Sequence, residues 1–121
     1  MTTHTGHTEA IPASRVIGTS VYNTAGESIG TIQDIMLDKT SNGIMFAIIG
    51  FGGFLGIGEK YHAVPWSVLD YEKSRGGYVV PFSKEELRAA PSHSIDDLTG
   101  NDGQMARDAA YNYYKVDPYW N

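Results

Sequence analysis

His62, Ser67 and Asp70, with Asp34 further back, are the residue types of a hydrolytic triad. They could supply an imidazole general base, a hydroxyl nucleophile and a carboxylate that orients the base. That chemistry needs the hydroxyl raised on a tight, glycine-framed turn, and no such pattern surrounds Ser67. His62 is therefore read as a partly buried strand residue. Asp34 is read as a structural group, accepting backbone N–H groups where its strand is irregular. His4, His7 and Glu9 offer metal-ligating atoms, but the Thr-rich stretch around them provides nothing to orient the imidazoles. Adventitious binding is expected there, and no resident metal. The run Gly50 to Gly58 has the glycine content of a phosphate cradle. A cradle must open a helix whose N-terminus faces the anion, whereas this run leads into the strand-like Lys60–Pro65. It is read as a bend, with Phe51, Phe54, Leu55 and Ile57 forming an apolar surface for another subunit. No catalytic residue and no cofactor follow from these constellations, and the chain is not read as an enzyme.

Composition narrows the choice of partner. The 121 residues suit one domain. The formal charge is −5 and the nine Lys and Arg residues are dispersed, so the concentrated basic face of a nucleic-acid binder is not expected. There is no cysteine, which removes disulfides, thiolate chemistry and Cys-ligated metals. The first ten residues lack the charged and apolar regions of a secretory signal. No apolar stretch nears the roughly 20 residues of a spanning helix. A cytoplasmic protein without membrane insertion is the expectation.

The elements follow from apolar patterning. Residues 1–14 are polar, without period, and read as a flexible N-terminal tail. Strands are expected over Val16–Tyr22, Ser28–Asp38, Ile44–Phe51, Lys60–Trp66 and Tyr78–Phe82, with Val68–Tyr71 as further extended chain. In Ser28–Asp38 the apolar positions change parity between Ile32 and Ile35, which calls for a β-bulge near Gln33 and Asp34. Asn42-Gly43 marks a hairpin turn. Ile44–Phe51 is apolar on both faces, as in a covered central strand. Pro65 should end its strand or lie on an edge. Ser83 and Glu86 form a capping box opening a short helix to Ala90. Ser92–Asn101 reads as a polar linker, and Asp102–Tyr114 as a helix with a Met105, Ala109, Tyr113 stripe. The predicted core holds Ile17, Val21, Ile29, Ile32, Ile35, Leu37, Phe46, Ile48, Val64, Leu69 and Val79.

Three segments in this order resemble the PRC-barrel family. They are Gly26-Glu-Ser-Ile-Gly-Thr-Ile-Gln-Asp34, Gly52-Gly-Phe-Leu-Gly-Ile-Gly58 and Val64-Pro-Trp66. The resemblance spans roughly residues 15–82 and implies a mainly β fold: a small antiparallel β-barrel over 15–90, followed by a linker and C-terminal helical extension over 91–121. It also implies protein–protein contact with no catalytic residues common to the family. The photosynthetic reaction-centre H subunit and a ribosome-maturation factor carry such domains. The chain has neither the membrane helix of the first nor the RNA-facing domain of the second, and is similar instead to stand-alone bacterial members.

Two functions are therefore weighed. One is a non-catalytic interaction module, self-associating as a homodimer. The other is a ribosome- or RNA-processing accessory protein, for which binding should be salt-sensitive. Tyr111, Tyr113, Tyr114, Tyr119 and Trp120 crowd the C-terminus and should be buried against either the chain's own barrel or a neighbour. For the homodimer, the expected contact residues are Phe51, Phe54, Leu55, Ile57, Met105, Tyr113, Tyr114, Tyr119 and Trp120.

Overall fold

The computed structural model describes residues 10–51 and 61–118. A helical turn, α1 (Ala13–Val16), precedes β1 (Ser20–Tyr22), β2 (Ser28–Asp38) and β3 (Gly43–Gly50). After these come β4 (Tyr61–Pro65), a 3-10 turn over Trp66–Val68, β5 (Asp70–Glu72) and β6 (Gly77–Val79). Helices α2 (Lys84–Ala89), α3 (Ile95–Thr99) and α4 (Gln104–Tyr114) complete the fold.

The six strands form one sheet in the order β4-β3-β2-β1-β6-β5. Two features bear on the expected antiparallel barrel, closed or nearly closed over residues 15–82. First, β1 and β6 run parallel, while the other neighbours are antiparallel. Second, β4 and β5 are the sheet's two end strands, and among the described residues no ladder joins them. The chain between them explains the opening. Pro65 has no N–H to give to a ladder, and the 3-10 turn that follows it turns the backbone out of strand geometry.

The β2–β3 hairpin matches its sequence signals. The register shifts between Ile32 and Asp34, and the Asp34 carboxylate accepts the Ile35 N–H at 2.8 Å. The bulge and the structural role of Asp34 are both present. Asn42 turns the hairpin at a φ of 63°. β3 is central, and Met45 to Ile49 are all buried.

The core differs from expectation where phase was misread. Val21, Ile29, Ile32, Phe46, Ile48, Val64 and Leu69 are buried, and Ile35 is half-buried against them. Ile17 is 41% and Leu37 63% exposed. The α1 turn directs Val16 inward in place of Ile17, and β1 starts only at Ser20. Leu37 lies near the far end of the hairpin, past the last residue of β2 that pairs with β1. Val79 is half-buried, because its neighbours Tyr78 and Val80 take the inward positions.

The open sheet leaves a core face that the C-terminal helices cover. Ser92–Asn101 is not a plain linker: the Ser94 hydroxyl caps α3 by accepting the Asp97 N–H, and Leu98 is fully buried. In α4 the buried stripe is Ala106, Ala110 and Tyr114, one residue on from the expected Met105, Ala109 and Tyr113. That step rotates the inward face by about 100°. Its small alanines let the helix lie close against β4 and β3. Gly103 enters α4 at a φ of 70°, and a Cβ there would sit 3.0 Å from the Met36 methyl.

Candidate functional site

The four triad-type residues are not brought together. His62, on β4, is fully buried with its ring 4.8 Å from that of Phe51. Neither of its ring nitrogens has a hydrogen-bond partner. Burial lowers its pKa to about 4, opposed in part by the backbone of Pro91 and reinforced by His93. Ser67 is exposed on the 3-10 turn, Asp70 is exposed at the start of β5, and Asp34 is committed to Ile35. A base must reach its nucleophile by a hydrogen bond, and His62 reaches none of these residues. At neutral pH it is a neutral core side chain.

His4, His7 and Glu9 lie outside the described residues. Among the described residues no cluster of three or more His, Asp or Glu could hold a metal. Phe54, Leu55, Ile57, Tyr119 and Trp120 also lie outside them.

The remaining proposed contact residues are placed individually. Phe51 is 2% exposed beside His62, so it is a core residue and not surface. Tyr114 is buried, its ring 4.6 Å from Phe82. Its hydroxyl has no partner and burial raises its pKa. Tyr113 is half-buried and donates its hydroxyl to the Glu86 carbonyl at 2.6 Å. Met105 is 77% exposed. Tyr111 belongs to the same aromatic-rich stretch and is not an expected contact residue. It is buried and donates to the Met45 carbonyl at 2.8 Å, which ties α4 to β3. The described part of the extension therefore packs on its own sheet.

Two large apolar side chains point outward. Leu37 and Met105 are the two most exposed large apolar residues among those described. Leu37 borders a cleft of about 510 Å³ between the hairpin tip and the start of α4, with Met36, Met45, Gln104 and Arg107 also in its wall. Leu37 was missed because its apolar character at a strand position reads as core. Its exposure depends on how far β1 extends along β2, which no local pattern encodes.

An open six-stranded sheet with a helical cover defines a small mainly β domain. Residues 8–87 match the family model of the PRC-barrel domain, and the chain belongs to that family. No curated protein matches it significantly. No helix among the described residues is long and apolar enough to cross a membrane.

Proposed function

We propose that this chain is a non-catalytic interaction module that works by docking other protein chains. The observation that carries the reading is the exposure of Leu37 in the wall of a cleft, with Met105 exposed separately on α4, in a domain whose other large apolar side chains are mostly turned inward. Contiguous exposed apolar surface marks contact sites, and the part of the cleft wall formed by Leu37 with Met36 and Met45 is the candidate here. Family membership is consistent with this, and the separation of His62 from Ser67 and Asp70 gives catalysis no support. Met105 on the outer face of α4 also favours self-association as one form of docking. The homodimer built on Tyr113 and Tyr114 loses its basis, since those rings are engaged within the chain. A ribosome- or RNA-associated role draws no support from a net charge of −5.

Sedimentation of the full chain at several concentrations, with and without the paired substitutions Leu37→Glu and Met105→Glu, tests the self-association form. A dimer abolished in the variant assigns the face to a second copy. A dimer that persists in the variant contradicts that assignment.

A further inference from the structure

Asn42-Gly43 is the chain's Asn-Gly pair, and the fold sets it in the turn of the β2–β3 hairpin. Asn followed by Gly is chemically labile, because a residue without a side chain leaves its amide nitrogen open to approach the preceding carboxamide. Whether the pair reacts depends on what the fold does with both groups. Asn42 is exposed and stands at a φ of 63°, in the left-handed region that asparagine visits readily. The Gly43 N–H donates to the hydroxyl of exposed Ser41 at 3.1 Å, a partner that water can replace. The other described asparagines are better protected. Asn23 is buried, and its carboxamide donates to Glu27 Oε1 at 2.8 Å and accepts the Ala25 and Glu27 N–H groups. Asn112 lies within α4, where the next N–H is engaged in the helix. Asn101 is followed by Asp102, whose side chain obstructs the approach. The comparable Asp102-Gly103 pair ends on a buried glycine with Met36 and Leu98 beside it.

We propose that Asn42 is a site of self-modification, converting to aspartate and isoaspartate, and that the product reshapes the cleft wall at Leu37. The Gly43 amide nitrogen, its proton passing to water, attacks Cγ of Asn42. The Cγ–N bond of the carboxamide breaks, and its nitrogen takes up a proton and leaves as ammonia. The ring so formed is a succinimide. Water opens it at Cγ to give aspartate, or at the main-chain carbonyl to give isoaspartate, whose backbone runs through the side-chain carbon. The net change consumes water and releases ammonia, with no other reactant. Either product adds a carboxylate to a turn in which the Asp38 carboxylate already accepts the Thr40 and Ser41 N–H groups, and like charges within one turn repel. Isoaspartate also lengthens the chain between Asp38 and Gly43, the pair that closes the hairpin. The next pair is Leu37 with Ile44, so the displacement falls on a residue that lines the cleft. The chemistry stands whatever docks there.

The test holds the full chain in warm, mildly alkaline buffer and follows its tryptic fragments by mass spectrometry. Fragment 40–60 contains Asn42 as its only side-chain amide. It should gain the mass of a carboxamide-to-carboxylate exchange and separate into aspartate and isoaspartate forms, the second accepting methyl groups from an isoaspartyl methyltransferase. The asparagines in the fragments carrying Asn23, Asn101 and Asn112 should stay unchanged over the same period, a comparison that needs no variant. Gly43→Val, whose branched side chain shields the nitrogen, should abolish the conversion, folding being checked by circular dichroism. In the converted chain the N–H of residue 42, bonded to the Asp38 carbonyl at 2.9 Å, should exchange faster. An unconverted fragment 40–60, or faster change at Asn101, would overturn the assignment of the site. Unchanged exchange at residue 42 in the converted chain would overturn the reshaping.

Discussion

His62 makes the core sensitive to acid. It is an ionisable side chain with no solvent exposure and no partner for either ring nitrogen. The unfolded chain takes up its proton near pH 6.5, whereas the folded chain holds the ring neutral down to about 4. The folded pKa is depressed, so the contribution to stability is complete above 6.5. It is lost progressively as pH falls from 6.5 to 4, amounting to about 3 kcal/mol at most. Denaturant unfolding should therefore weaken across that window, and His62→Leu should flatten the part due to this residue. An identical pH slope in the variant would exclude it. Phe46 is fully buried at the centre of β3, and Phe46→Ala should cost about 3–5 kcal/mol in the same assay. A loss below about 1 kcal/mol would remove it from the core. Residue types were informative about Asp34, because a parity break in β2 demands a group to satisfy the bulged backbone. They were uninformative about how completely His62 is enclosed, since that depends on Phe51 and Pro91, which arrive from either side of it in sequence.

At the scale of elements, the C-terminal helices are part of the folded unit. Leu98, Ala106, Ala110 and Tyr114 belong to the same core cluster as Val21, Ile32 and Phe46. Ending the chain at Ser92 should abolish cooperative unfolding, and Leu98→Ala in the full chain should cost about 2–5 kcal/mol. A truncated chain that melts as sharply as the full one would show the sheet to be self-sufficient. The β2–β3 hairpin, the bulge, the end of β4 at Pro65 and the capping box at Ser83 were all legible, because each is set by a few adjacent residues. The phase of α4 was not. Its two candidate stripes differ by one residue, and a buried stripe of alanines carries less apolar signal than one containing Met105. α3 escaped notice because its five residues contribute mainly Leu98 to the core. The Ser94 cap with Asp97 three residues on was its only local mark.

For the whole molecule, a sheet open between β4 and β5 shares its core with the C-terminal helices and leaves Leu37 exposed near the hairpin tip. Sequence conveyed the mainly β class and the family through local turns and short motifs. Closure was beyond it, because closure depends on whether two strands distant from one another in the sheet meet. The parallel β1–β6 pairing is of the same kind, joining segments more than fifty residues apart. The central claim is that the chain acts by protein contact through its exposed apolar residues, Leu37 at the cleft and Met105 on α4, and one measurement reaches it most directly. Native mass determination of the complex purified from its source cells would compare the wild-type chain with the Leu37→Glu, Met105→Glu variant, folding being checked by circular dichroism. The account predicts an assembly heavier than one chain for the wild type and a free monomer of unchanged fold for the variant. The same assembly mass for both proteins would contradict it.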